Sequence, residues 1–139
     1  MYTSDLEKNK ALILHFDKAC VEQNDPIALN DLVSDEVVNH ATPPGLPNGK
    51  DSFHHFLNAL HTGLSGIKVS VLRQIAENDL VVTHKVISGI HSGNLFGLPA
   101  TGNPISIEAI EIIRLQNGRY AEHWVQSNMA KVLGNLQGH

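Results

Sequence analysis

The sequence predicts an α+β fold in which a cone-shaped, curved antiparallel sheet is packed by three N-terminal helices. Three observations lead there. As far as Gly66, apolar residues recur at helical spacing; from Ile67 onward they alternate as strands require; and Asn117-Gly118 stands between two apolar runs, the dipeptide that closes a two-residue hairpin. Three helices followed by a four-stranded antiparallel meander share one core only if the helices lie on one face of a curving sheet.

Ser4 is the expected N-cap of the first helix, with Glu7 three residues on, and Ala11, Leu12, Phe16, Ala19 and Cys20 make its apolar face. Asp25 followed by Pro26 starts a short second helix, with Ile27, Ala28, Leu29, Leu32 and Val33 on its apolar side. Gln23 to Asp25 turns the two into a hairpin. Glu36 to His40 reads as a brief extended piece, and Ala41 to Lys50, with three prolines and two glycines, as a loop. Asp51 is expected to cap a third helix that carries Phe53, Phe56, Leu57, Leu60 and Leu64 on one face and ends at Gly63 and Gly66.

In the second half Ile67, Val69, Val71, Arg73 and Ile75 alternate, Asn78-Asp79 turns, and Leu80 to His91 returns, rich in Val and Ile. Ser92 to Asn103, with three glycines and Pro99, is a loop. Pro104 to Leu115 follows as a β-branched strand, apolar on both faces in places, so both faces are expected to be covered. Arg119 to Ser127 is the return strand and holds the only Trp; a short helix closes the chain. No repeat or low-complexity linker divides residues 1–139, which read as one domain.

At 139 residues the chain is long enough to bury roughly two-thirds of its unfolded surface in one core. It has 42% hydrophobic and 17% charged residues, no window of about 18 apolar residues and no charged-then-apolar leader at Met1 to Asp5, so a cytoplasmic protein with no membrane partner is expected. The net charge of -4, with ten Lys and Arg scattered singly, offers no basic stripe, and no nucleic acid partner is expected. Cys20, alone at an apolar helical position, reads as a small buried hydrophobe. Nine histidines raise the question of a metal. None forms a ligand motif, the adjacent His54 and His55 diverge on a helix, and His61 lies about two turns beyond His54, so neither metal nor cofactor is expected. Gly93, Gly97 and Gly102 sit between strands and not at the start of a helix, which argues against a phosphate loop. There is no Gly-x-Ser-x-Gly elbow.

The segment H-S-G-N-L-F-G-L-P-A-T-G at His91 to Gly102, followed by N-G-R-Y-A-E-H-W at Asn117 to Trp124, resembles the paired signature of SnoaL-like polyketide cyclases. N-D-P-I-A-L at Asn24 to Leu29 and V-V-N-H at Val37 to His40 extend the resemblance over nearly the whole chain. It implies the nuclear transport factor 2-like fold, a cystatin-like α+β barrel shared with ketosteroid isomerases and limonene epoxide hydrolases, with a pocket for a small, largely apolar ligand. The implied reaction is an aldol closure of a polyketide ester, in which a carboxylate removes a proton beside a carbonyl and a donor steadies the enolate. Active members resemble H-W-D or H-R-D, with an Asp after the H-W pair, and many carry an acid three residues later. This chain has Val125 and Asn128 there, and neither takes a proton.

Glu111 is the substitute the sequence offers. Glu108 and Glu111 fall on opposite faces of one apolar strand, and the resemblance suggests that the Glu111 position points into the cone. Glu111 is then either the base or a structural partner of Arg114, Lys85 or a His at a subunit contact. His123, on the face of Val125, is a candidate donor or proton relay, or a hydrogen-bonded structural residue. His40 is a candidate ligand contact or loop anchor, His91 a ligand contact or turn residue, and Trp124 a stacking platform or core residue. Phe16 and Phe56 line core or pocket wall, and Asn128 completes the candidate ligand-binding set. Strands apolar on both faces point to a homodimer through the sheet face. A silent binding protein of the same fold is the alternative to an enzyme.

Overall fold

The computed structural model describes residues 2–42, 45 and 48–137; residues 43, 44, 46 and 47 of the loop expected at Ala41 to Lys50 lie outside them. Helix α1 spans Tyr2–Phe16, so the position of Ser4 falls within its bounds and not ahead of them. Ile13 and Phe16 bury its apolar stripe. The helix then widens into a π-helical segment, Asp17–Glu22, which turns Asp17, Ala19, Cys20 and Val21 into the interior. Helix α2 (Pro26–Leu32) begins as expected: Asp25 Oδ1 accepts from the backbone N–H of Ile27 at 3.0 Å and of Ala28 at 3.3 Å, with Pro26 at the first helical position.

Helix α3 (Lys50–Gly63) is capped by the backbone of Gly49, in the left-handed region at φ 85, and not by Asp51, which lies in its first turn. Ser52, Phe53, Leu57 and Leu60 are buried along one face. It ends at Gly63, where the loop after residue 91 packs so closely that a Cβ on Gly63 would come within 2.5 Å of Leu95 Cβ. Gly66 does not end the helix; it lies inside the next strand.

Five strands form one sheet in the order β1-β5-β4-β3-β2. They are β1 (Val33–Asn39), β2 (Leu64–Glu77), β3 (Leu80–His91), β4 (Pro104–Gln116) and β5 (Arg119–Ser127). β2 to β5 make the expected antiparallel meander, and Asn117 and Gly118 take the positive φ of 55 and 73 that their hairpin turn demands. The sheet is nonetheless mixed, because β1 pairs in parallel with β5 through Val33 and Tyr120, Val38 and Glu122, and Asn39 and His123. A parallel pair is joined by a long crossover, here α3 and three strands, so no local turn marks it in the sequence. Register shifts between Ser65 and Lys68 and between Val71 and Arg73 bend β2.

The inward residues of the sheet, among them Ile67, Val81, Ile87, Ile107, Ile113 and Tyr120, join Ile13, Phe16, Leu29, Phe53 and Leu60 of the helical layer in one core. Helix α4 (Met129–Gln137) leans Met129, Val132, Leu133 and Leu136 against it. The opposite face leaves Leu80, Ile90, Ile110 and Ile112 exposed. No helix among the described residues is long and apolar enough to cross a membrane.

Candidate functional site

Alternation along β3 and β4 sends Thr83, Lys85, Ala109 and Glu111 to the helix-covered face, and Glu108 to the other, as the sequence requires. A lysine and a glutamate in such a place survive only if paired. Lys85 Nζ lies 2.7 Å from Glu111 Oε1 and 2.7 Å from Asp17 Oδ1, the second carboxylate being delivered by the π-helical segment. Glu111 Oε2 in turn meets His123 Nε2 at 2.9 Å. Of the structural partners open to Glu111 in the sequence, Lys85 is present, while Arg114 binds Glu122 at 2.7 Å instead, and the His that meets Glu111 is His123 of the same chain, not one at a subunit contact.

The far side of His123 meets an amide. Its Nδ1 faces Asn39 Oδ1 at 3.0 Å. The orientation of that amide is set from both ends, because Oδ1 also accepts from Ala41 N–H at 3.0 Å and Nδ2 donates to Ser52 Oγ at 2.9 Å. Ser52 Oγ donates onward to the Gly49 carbonyl. Both ring nitrogens of His123 therefore face side-chain oxygens. The buried row alternates acid and base: Asp17, Lys85, Glu111, His123.

Charge placement has opposite effects on the two carboxylates. Burial alone would raise the Glu111 carboxyl, but Lys85 and His123 outweigh it and hold it at about 2. Asp17 has only Lys85; burial, reinforced by the charge of Glu111, outweighs that pairing and pushes its carboxyl up to about 6. Its Oδ2 is buried without a hydrogen bond. Lys85 remains firmly charged: burial works against the ammonium, and Glu111 and Asp17 more than restore it. Burial raises the Cys20 thiol to about 12, in keeping with a small buried hydrophobe.

Aromatic rings enclose the row. Phe16 stacks on Tyr120 with centroids 4.3 Å apart, and Phe53 stands edge-on to both and lies 5.4 Å from the His123 ring. The structure thus gathers Glu111, His123 and Phe16 of the sequence candidates. The others lie elsewhere. Trp124 follows His123 and so faces the opposite side of the sheet, where His40 stacks on it at 4.7 Å and bonds Glu122 at 2.9 Å. These two rings border a groove of about 540 Å³ with Leu80, Ile110 and Ile112. His91 is fully buried and ties the loop after β3 through Thr101 Oγ1 at 2.9 Å and the Leu98 carbonyl at 3.1 Å. Phe56 stacks on Phe96 of that loop at 6.1 Å. Asn128 is exposed, its Oδ1 accepting from the Glu108 backbone N–H at 2.9 Å.

Asp17, Asn39, Ser52 and Tyr120 were absent from the sequence candidates. Two of them carried a signal: Asn39 as the residue before His40 in the V-V-N-H segment, and Tyr120 within N-G-R-Y-A-E-H-W. No group of three or more His, Cys, Asp or Glu among the described residues is arranged to hold a metal ion.

A five-stranded mixed sheet packed by helices on one face defines an α+β protein of the nuclear transport factor 2-like fold. The family model for SnoaL-like polyketide cyclases matches residues 11–136, and the chain belongs to that family. TsrD from Streptomyces laurentii is similar at 22% identity and TM-score 0.82, over 95% of this chain and 96% of that one. Wild-type IdmH from Streptomyces antibioticus is similar at 24% identity and TM-score 0.79, over 94% and 99%. A SnoaL-like polyketide cyclase from Agrobacterium tumefaciens is similar at 11% identity and TM-score 0.74, over 92% and 97%. At these identities the likeness is one of fold. None of the curated proteins matches the chain.

Proposed function

We propose that this protein binds a small, largely apolar carbonyl compound inside the curve of its sheet and moves a proton on it, as an aldol-type cyclisation or an isomerisation requires, without a cofactor. The observation that carries the reading is the 2.9 Å contact between His123 Nε2 and Glu111 Oε2, buried beneath aromatic rings. The proton between those atoms is the transferable one. Passed to a substrate carbonyl oxygen, it leaves a neutral ring that takes a proton from the carbon beside that carbonyl, which gives the enol and restores the ion pair. Glu111, held at about 2, is too weak a base to keep a proton, so His123 is the carrier and Glu111 the anion that holds it in place.

A second reading, a silent binding protein, is favoured by one observation: Val125, at the family's acid position, lies directly across from Glu111, which Lys85 already occupies. The two readings separate on incubation of the purified protein with polyketide esters, Δ5-ketosteroids and terpene epoxides, with retained ligand and product both read by mass. Conversion supports the enzyme; retention without conversion supports the binder, and a gain of activity in Val125→Asp would strengthen it. Failure to retain any of them would remove both.

The exposed Leu80, Ile110 and Ile112 around the outer groove support a homodimer through that face. The cytoplasm is the proposed compartment.

A further inference from the structure

Asp17 takes no part in the function proposed above, yet three short contacts join it to the proton of His123. Asp17 Oδ1 lies 2.7 Å from Lys85 Nζ, Lys85 Nζ lies 2.7 Å from Glu111 Oε1, and Glu111 Oε2 lies 2.9 Å from His123 Nε2. All four side chains are buried, so water screens little of what passes between them.

Asp17 also has a place for a proton that disturbs nothing. Its Oδ1 is spent on Lys85, while its Oδ2 is buried without a hydrogen-bond partner. Folded proteins leave few such atoms, and on a carboxylate the oxygen without a donor is where the next proton goes. A proton on Oδ2 leaves the Oδ1 contact whole. The charges that reach Asp17 are those of Lys85 on β3, Glu111 on β4 and Glu22 on its own segment, and the Cys20 thiol and the Tyr120 hydroxyl are its neutral neighbours. Burial, against the charge of Lys85 and with that of Glu111, places the uptake of the proton at about 6, close to neutral pH. The ring of His123 is met by Glu111 from β4, the Asn39 amide from β1 and the Phe53 ring from α3.

We propose that Asp17 is a positioning residue that sets how firmly His123 holds its proton, acting through Lys85 and Glu111. Ionised, Asp17 shares the ammonium with Glu111, and Glu111 keeps much of its own charge for the ring. Neutral, Asp17 leaves the ammonium wholly to Glu111, whose attraction for the His123 proton is reduced, and that proton is passed on more readily. The coupling is reciprocal: a charged His123 loosens the proton of Asp17 by the same factor. It rests on the function proposed above only for where the His123 proton goes, and is present with no ligand bound.

The test follows the His123 ring proton resonance through a pH titration of the unliganded protein by NMR, the signal being identified by its loss in His123→Gln. In Asp17→Asn position 17 is neutral at every pH. His123 should then hold its proton about tenfold more weakly than in the wild type, the effect of a unit charge three contacts away at an effective dielectric constant of about 20. Glu22→Gln removes a charge of the same segment that pairs with Lys18 at 3.0 Å and stands outside the row. It should change the proton affinity of His123 by less than about twofold. The reverse measurement leaves Asp17 in place: in His123→Gln the carbon-13 resonance of its carboxyl should report a proton held about tenfold more tightly. An unmoved His123 in Asp17→Asn, or an unmoved Asp17 in His123→Gln, overturns the inference and leaves the proposed function standing. An equal effect of Glu22→Gln also overturns it, since the influence is then the general field of the segment and not the row. Should Asp17→Asn fail to fold, the titration of His123→Gln decides alone. The expected shifts in a protein that converts no carbonyl compound would uphold the coupling and remove the enzyme reading.

Discussion

Lys85 and Asp17 are 68 residues apart in the sequence and 2.7 Å apart in the fold, both almost wholly buried. Lys85 is shared with Glu111, so one ammonium serves two carboxylates in the dry interior.

Removing that ammonium should be costly. Lys85→Met leaves Asp17 and Glu111 facing each other with no cation between them. A loss of about 3–5 kcal/mol is expected in urea unfolding, the usual consequence of breaking a buried pair from one side. A loss below about 1 kcal/mol would mean that the row is not a structural element.

Glu111→Gln keeps the shape of the row while removing the anion that holds His123. Turnover on any substrate found in the panel should fall by about a hundredfold or more, with the circular dichroism spectrum unchanged. Undiminished turnover would exclude Glu111 from the mechanism.

Acid should act on the interior in two opposite ways. Asp17, raised from 3.8 to about 6, contributes stability that is complete below pH 3.8 and lost as pH rises through 6. Glu111, lowered from 4.5 to about 2, contributes stability that is present above pH 4.5 and lost as pH falls through 2. Between pH 4 and 7 the wild type should therefore lose about 3 kcal/mol that Asp17→Asn does not lose, at roughly 1.4 kcal/mol for each tenfold difference in proton affinity between the folded and unfolded chain. Parallel unfolding curves for the two proteins across that window would contradict the assignment.

Gly63→Ala tests the seam between α3 and the loop after β3. The added methyl must displace Leu95, so a cost of about 1–3 kcal/mol is expected by thermal or urea unfolding. A neutral result would show that the loop yields freely.

Ile112→Lys places a charge at the centre of the exposed apolar face. If that face joins two copies, light scattering at micromolar concentration should change from dimer to monomer while the fold persists. A wild type already monomeric there would dispose of the dimer.

Local chemistry made much of this fold legible. Asp25-Pro26 announced α2, Asn117-Gly118 announced the last hairpin, and alternation around Glu108 and Glu111 separated the two faces of β4. The same alternation, applied from His123 to Trp124, puts the two rings on opposite faces, so they could never have lined one pocket. What no local pattern carried was pairing at long range. The parallel partner of β1, the Asn39 amide at His123 and the arrival of Asp17 at Lys85 all depend on elements that meet only in the folded chain. Asp17 was the hardest to foresee: it shares the helix face of Ile13 and Phe16, but a carboxylate there reads as solvent-facing until Lys85 is known to meet it.

The π-helical winding after Phe16 makes the core depend on a residue count. A π-helical segment closes its turns with one residue more than an α-helix uses, so Asp17–Glu22 holds what amounts to a single-residue insertion. Deleting one residue here would restore regular α-helical bonding and at the same time rotate everything on one side of the deletion by about 100° relative to the other. A deletion between Asp17 and Cys20 would set them two residues apart, about 200° around the helix, so they could no longer both face inward. Asp17 would keep the face set by Ile13 and Phe16, and Cys20 would leave the core, so a homologue one residue shorter at this point would be expected to carry a polar residue in place of Cys20.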